Sequence, residues 1–399
     1  MKPLITIEDA LNTLLSAANT TRTCESVTLK EAYGRVLAED VISPLNVPGF
    51  DNSAMDGFAF RSADVRETPP RFPVSQRIPA GFKAEYLDEG TAARIFTGAQ
   101  IPDGADVVVM QEQCELQKGG VVQINTDYKV GQNIRRAGED IALNATVLNM
   151  GALLRPQEIG LLASIGIAAV KVFTRPKVAV FFTGDEIVEP GQVLGPGQIY
   201  NSNRYMVVGL LQELGCDVTD LGAVKDDLEA TRATLRQAAI GHDVVLTCGG
   251  VSVGEEDHVK AAVEAEGELN LWQIAIKPGK PLAFGRVGEA HFIGLPGNPV
   301  STFVTFKVIV EPFIQALKGN TQKRRPIPVT VGFDWPRADK RREYLRVRLE
   351  QVDGQTVAIP FKQQGSGVLT SCSFADGLLE VNPGETFSKG DVRMYWITQ

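Results

Sequence analysis

From Pro176 onward the chain alternates short, unbroken apolar runs with amphipathic stretches of helical period, and this alternation restricts the fold more than any other feature. Residues 178–182, 218–221, 244–247 and 291–294 read as strands, and residues 201–214, 228–240, 259–265 and 300–317 as helices. Neighbouring parallel strands need a crossover that returns the chain to the same end of the sheet, and a helix supplies it. The pattern predicts a doubly wound, mostly parallel α/β domain over residues 177–325. Ligands of such sheets sit beyond the carboxyl ends of the strands. The segments that follow each strand are therefore where chemistry is expected.

The flanking regions have a different texture. Thr6-Ile-Glu-Asp9 reads as a capped helix start, with Ala10, Leu11, Leu14 and Leu15 on one face, and residues 31–41 read as a second helix. Between residues 44 and 142 short apolar runs, including 94–97 and 107–110, are separated by Gly, Pro and Asp, which predicts a β-rich domain. Residues 155–165 return to helix, with Pro156 tolerated in its first turn. Beyond Pro326, residues 329–333, 344–349 and 356–359 read as strands of a small C-terminal β domain. The expected division is 1–46 with 144–176 (N-terminal helices and a linking domain), 47–143 (β-rich), 177–325 (α/β) and 326–399 (C-terminal β).

Composition removes several functional classes. The net charge is −8 without a basic run, which disfavours nucleic acid as a partner. Five scattered cysteines contain no Cys-x-x-Cys pair, and three histidines show no ligand spacing, so neither a zinc site nor a disulfide scaffold is expected. Glu8 and Asp9 precede any long apolar run, and the run 161–170 is too short to span a bilayer. A cytoplasmic protein without a membrane partner is the expectation.

The predicted strand ends carry acids, glycines and lysines. TGDEI supplies Asp185 and Glu186; GAVKDD supplies Asp226 and Asp227; CGGVSVGEEDH supplies Gly249, Gly250, Ser252 and Asp257; LPGNPVS supplies Pro296, Gly297, Asn298, Pro299 and Ser301. IKPGKP adds Lys277 and Lys280. Taken singly, each is also compatible with an ordinary turn, an Asn298 or Ser301 helix cap, or a solvated charged face. Taken together on one rim, clustered carboxylates call for a cation and the glycine turns suit phosphate, which suggests a Mg²⁺–phosphate ligand. Cys248 abuts the glycine turn and is expected in the core. In the β-rich region, VPGFDNSAMDGFAF places Asp51 and Asp56 among small residues and aromatic anchors.

These segments, with TGAQIPDGADVVVMQE, GQNIRRAGEDI and NSN, resemble in sequence and order the molybdopterin molybdenumtransferase (MoeA) family, to which the gephyrin E domain also belongs. The resemblance extends over essentially the whole chain. It implies an elongated homodimer that inserts molybdenum from molybdate into adenylylated molybdopterin, with Mg²⁺-dependent release of AMP. The cleft would lie between the α/β domain of one subunit and the β-rich domain of the other. Asp56, Thr97, Asp140, Glu186 and Asp226 match the family's catalytic positions; Glu186, Asp226 and Asp257 match its metal-side acids. Gly249, Gly250, Ser252 and the loop from Pro296 to Ser301 match the pterin–nucleotide platform, and Arg135 and Arg136 are expected to face phosphates. Ser252, Lys277, Lys280, Arg346 and Ser366 are expected around molybdate, although KRREYLR contains other arginines able to serve. The resemblance leaves room for contacts with the adenylyltransferase and with proteins that mature molybdoenzymes. A molybdopterin adenylyltransferase and a non-catalytic scaffold of the same fold are the rival readings. The extra β domains and PGFDNSAMDG argue against the first, and the retained acids against the second.

Overall fold

The fold is that of a computed structural model, which describes residues 4–18, 23–250, 258–322 and 324–398. Its central sheet has six strands in the order Asp217–Val224, Lys177–Thr183, Val244–Cys248, Ala290–Leu295, Pro281–Val287, Gly267–Gln273. The first four are mutually parallel, and the last two pair antiparallel. All five residues of Val244–Cys248 and all six of Ala290–Leu295 are buried, as strands covered by helices on both faces must be. Helices Ser202–Glu213, Leu228–Ala239 and His258–Glu266 cover the sheet. The helical run from Pro299 to Leu317, with a wider π turn at Phe306–Val310, is long and apolar enough to cross a membrane but lies mostly inside the core.

The two antiparallel strands do not show in the strand–helix alternation because a hairpin joins the second of them, Pro281–Val287, to Ala290–Leu295 with no intervening helix. A second difference concerns residues 31–41, which are not helical. Gly34 and Leu37 donate their backbone N–H groups to Leu154 and Ala152, and Ala38 donates to Lys171. Pairing with distant chain overrides the local helical pattern there.

The first helix, Ile7–Ala17, forms as expected: the Thr6 hydroxyl accepts from Asp9 N–H at 3.1 Å. Its buried face, Ile7, Ala10 and Leu14, joins the core of the α/β domain together with Val180, Leu211 and Phe313. Within the expected segment 1–46 this helix thus packs apart from the linking domain. The helix docks on the α/β unit because its apolar stripe is buried there. The linking domain instead pairs strand Cys24–Thr28 with Ala169–Phe173 and packs helix Pro156–Ser164 over Leu37, Leu154, Ile165 and Val172.

The β-rich region forms a six-stranded sheet, in which Gly57–Phe60 runs between Val107–Met110 and Ala92–Ile95. In the C-terminal domain Arg342–Val352 pairs with both Gln355–Pro360 and Gly377–Val381, which closes the sheet on itself. A short strand of the α/β domain, Ile276–Lys277, adds to its edge in parallel with Arg342 and Glu343.

Candidate functional site

The first cluster lies on the β-rich domain. Asp56 ends a tight turn just before strand Gly57–Phe60. Gly57 has no room for a side chain: a Cβ there would lie 2.0 Å from the Val109 carbonyl oxygen. The half-buried Asp56 carboxylate accepts hydrogen bonds from Thr97 N–H at 2.8 Å and Thr97 Oγ1 at 2.7 Å. The Thr97 backbone N–H, then its hydroxyl, with a smaller contribution from the Arg94 charge, holds the Asp56 carboxyl below its ordinary value. Two expected residues from motifs about forty positions apart thus form one unit. Arg94 donates to Gly57 O at 2.9 Å and to the Gln111 side chain, and its guanidinium stacks over Phe58 and Phe96. No sequence motif singled out Arg94.

The strand Ile134–Arg135 pairs with Asn52–Ser53 and brings GQNIRRAGEDI beside this turn. Arg135 is exposed. Arg136, expected to face a phosphate, makes an ion pair with Asp51 at 2.5 Å. Asp51 also accepts from Ala137 N–H at 2.8 Å. Burial raises the Asp51 pKa, but the Ala137 N–H and Arg136 outweigh it and leave the carboxyl below its ordinary value. Asp51 thus holds the Arg136–Ala137 segment through both an ion pair and a backbone N–H. Asp140 is exposed beside this segment, its N–H bonded to Val47 O at 3.0 Å.

The second cluster follows from the parallel sheet. Thr183 pairs with Val224, Phe182 with Cys248, and Cys248 with Leu295. The loops carrying Asp226, Glu186, Gly249–Gly250 and Pro296–Gly297 therefore leave adjoining strand ends in that order. Asp226 N–H reaches Asp185 Oδ1 at 3.4 Å. Glu186 is exposed and folds back over Gly184, its Oε2 only 2.6 Å from where a Cβ would project. Gly249 and Gly250 adopt φ of +91° and +63°, and a Cβ at either would press on Thr183 or Val259. Gly297 packs on Gly249, and Asn203 Nδ2 donates to its carbonyl at 2.7 Å. Cys248 is buried, and burial pushes its thiol pKa well up. Ser252 and Asp257 lie outside the described residues. Among the described residues, no three His, Cys, Asp or Glu side chains are grouped as a metal would require.

The third set of residues gathers where the C-terminal domain meets the helix Pro299–Thr305. Val300 N–H donates to Ser366 O at 3.0 Å, so Ser366 is tied to the Pro296–Ser301 loop. Gly279, between Lys277 and Lys280, packs against Thr305 and Ser301. Asn298 is exposed and makes no side-chain cap, and Ser301 is buried; the Thr302 hydroxyl donates to Pro296 O at 2.6 Å and fixes the turn. Lys280 is exposed, whereas Lys277 pairs with Glu343 at 3.0 Å and Asp339 at 3.2 Å.

Arg346, expected around molybdate, is an interior residue. It is fully buried, donating to Tyr344 O at 2.9 Å, Ser371 Oγ at 3.1 Å and Gly365 O at 3.4 Å. Burial lowers its pKa to about 10. The bond to Gly365 ties Arg346 to the loop that carries Ser366. The neighbouring arginines are also engaged: Arg341 with Asp339 at 3.1 Å, Arg342 with Glu8 at 2.5 Å and with Glu380 at 3.3 Å.

Comparison with known proteins covers this whole arrangement. The family described as MoeA N-terminal region (domain I and II) matches residues 5–166, the probable molybdopterin binding domain matches 179–316, and the MoeA C-terminal region (domain IV) matches 328–394. A Haemophilus influenzae protein named molybdopterin molybdenumtransferase is 45% identical over 81% of this chain and 80% of its own length. A protein of the same name from Nostoc is 37% identical over 96% of this chain and 92% of its own. The crystal structure of a molybdopterin biosynthesis MoeA protein from Pyrococcus horikoshii OT3 superposes with a TM-score of 0.83 at 31% identity, covering 99% of this chain and 100% of that one.

Proposed function

Because the chain belongs to the molybdopterin molybdenumtransferase (MoeA) family, we propose that it transfers molybdenum from molybdate to adenylylated molybdopterin, with release of AMP. It is a transferase of molybdenum cofactor biosynthesis. The observation that carries the substrate reading is the shared rim, where Glu186, Asp226, Gly249–Gly250 and the Pro296–Gly297 turn leave neighbouring strand ends.

Both substrates are anionic, so the site must offset their mutual repulsion. Gly249 and Gly250 let the pterin–nucleotide approach the backbone closely, and Asn203 fixes the Gly297 turn beside it. The ammonium groups of Lys277 and Lys280 receive molybdate, with Ser366 and Ser301 shaping the enclosing loops. Arg135 and Arg136 are both exposed guanidiniums available to a phosphate, Arg136 while also paired with Asp51.

Glu186 and Asp226 offer hard carboxylate oxygens on adjoining loops, the donor type that suits Mg²⁺, with Asp257 as a further candidate. Bound there, Mg²⁺ would draw charge from the phosphoanhydride. Asp56, kept ionised by Thr97, acts as an acceptor of a proton or hydrogen bond from the substrate, and Asp140 adds a second carboxylate on the same domain. We further propose that these two acids enter the cleft from the second subunit of a homodimer in the cytoplasm.

The decisive experiment incubates the purified protein with adenylylated molybdopterin, molybdate and Mg²⁺. Stoichiometric AMP release with formation of active cofactor is expected. AMP transfer from ATP to molybdopterin in place of that reaction would make the protein an adenylyltransferase and overturn the proposal.

A further inference from the structure

Lys277 belongs to the α/β domain, yet its charge is met by two acids of the C-terminal domain. Its Nζ lies 3.0 Å from Glu343 Oε1 and 3.2 Å from Asp339 Oδ2. Glu343 stands opposite Lys277 in the parallel pairing of Ile276–Lys277 with Arg342–Val352, and its side chain is only 4% exposed. Asp339 is fixed in turn by Arg341, whose Nε and Nη2 donate to it at 3.1 and 3.2 Å and whose backbone N–H donates at 2.9 Å. Asp339 is thus held from behind by Arg341, and Glu343 is fixed by its burial, so neither is a drifting surface charge.

An ammonium group has three N–H donors. Two carboxylates lie within ion-pair distance of the Lys277 ammonium and compete with a ligand for those donors. Two negative charges beside the cation also repel any incoming anion. That arrangement does not maximise affinity for a dianion. It fixes where the ammonium sits and makes capture weak.

We propose that Asp339 and Glu343 are positioning residues that aim the Lys277 ammonium and weaken the hold of the site on a tetrahedral dianion, so that molybdate is bound loosely enough to be passed on. The inference rests on the reading of Lys277 as a ligand of molybdate. It assigns the C-terminal domain a part in the affinity of the site that does not depend on direct contact with the substrate.

The test is isothermal titration of the full-length protein with molybdate alone, together with steady-state turnover. Glu343→Gln is expected to bind molybdate on the order of tenfold more tightly, because a like-charge neighbour of the anion is removed. The same variant should show a lower KM for molybdate and a lower kcat, since Lys277 loses its anchor. A residue with a merely structural role would weaken binding when replaced, so the sign of the change separates the two. Asp339→Asn, which is less buried, is expected to shift affinity in the same direction and decides the matter if Glu343→Gln does not fold. Loss of binding in Lys277→Met, with unchanged or weaker binding in the folded carboxylate variants, overturns the inference alone. Wild-type binding in Lys277→Met overturns the oxyanion reading and the inference with it.

Discussion

Asp56 combines three local conditions: a turn that ends in Gly57, a paired acceptor geometry toward Thr97, and a nearby guanidinium. Asp56→Asn keeps the shape and removes the charge. It should lower molybdenum insertion by at least about 100-fold, in the range typical of a lost acid–base group, with no change in melting temperature. Thr97→Val keeps the backbone donor and removes the hydroxyl donor. The folded-state pKa of Asp56 is depressed, so its ionised form persists as pH falls below the ordinary carboxylate range; losing one donor should move the acid limb of the rate profile to higher pH. A limb at the wild-type position would remove Asp56 from that profile. Gly57→Ala forces a Cβ onto the Val109 carbonyl and should destabilise the domain by about 3 kcal/mol in chemical denaturation.

At the scale of elements, the loop that holds Ser366 depends on an interior arginine. Arg346→Ala would leave the Tyr344 and Gly365 carbonyls and the Ser371 hydroxyl without their donor and open a large void. A loss of about 4 kcal/mol is expected in equilibrium unfolding, and Arg346→Lys, which lacks the fork of donors, should restore little of it. No local pattern distinguishes this arginine from Arg341 or Arg342 in KRREYLR; only the closed sheet decides which of them points inward. The parallel strands and their rim were legible because burial on both faces leaves continuous apolar runs, and topology then orders the loops. The strand Gly267–Gln273 and the non-helical course of residues 31–41 were not, since one belongs to an antiparallel extension of the sheet and the other depends on hydrogen bonds to residues 152–171. The motif around Asp51 carries no sign of its ionic partner, because Arg136 lies 85 residues away. Glu343 was hidden in a charge run for the same reason.

For the whole molecule, the Asp56 cluster and the rim of the α/β domain belong to different sheets of the chain. In the homodimer proposed above, the site would be completed by two subunits. Mixing Asp56→Asn and Lys277→Met chains tests it. Each variant alone should be inactive, but a mixed dimer holds one site with both residues intact. Random pairing makes about half the dimers mixed, so co-expressed chains should recover about a quarter of wild-type activity. No recovery from isolated mixed dimers would require both residues to serve in the same chain.

The two-residue strand Ile276–Lys277 also blurs the border between the modules. It is covalently part of one module and hydrogen-bonded into the edge of the next. A chain stopped after residue 325 would therefore lose more than its last module: the peptide groups flanking Lys277 would face water on an open flank, inviting another polypeptide to pair there. Dissecting this protein for study, or exchanging its tail with that of a relative, has to treat the KPGK turn and the tail as one inherited unit.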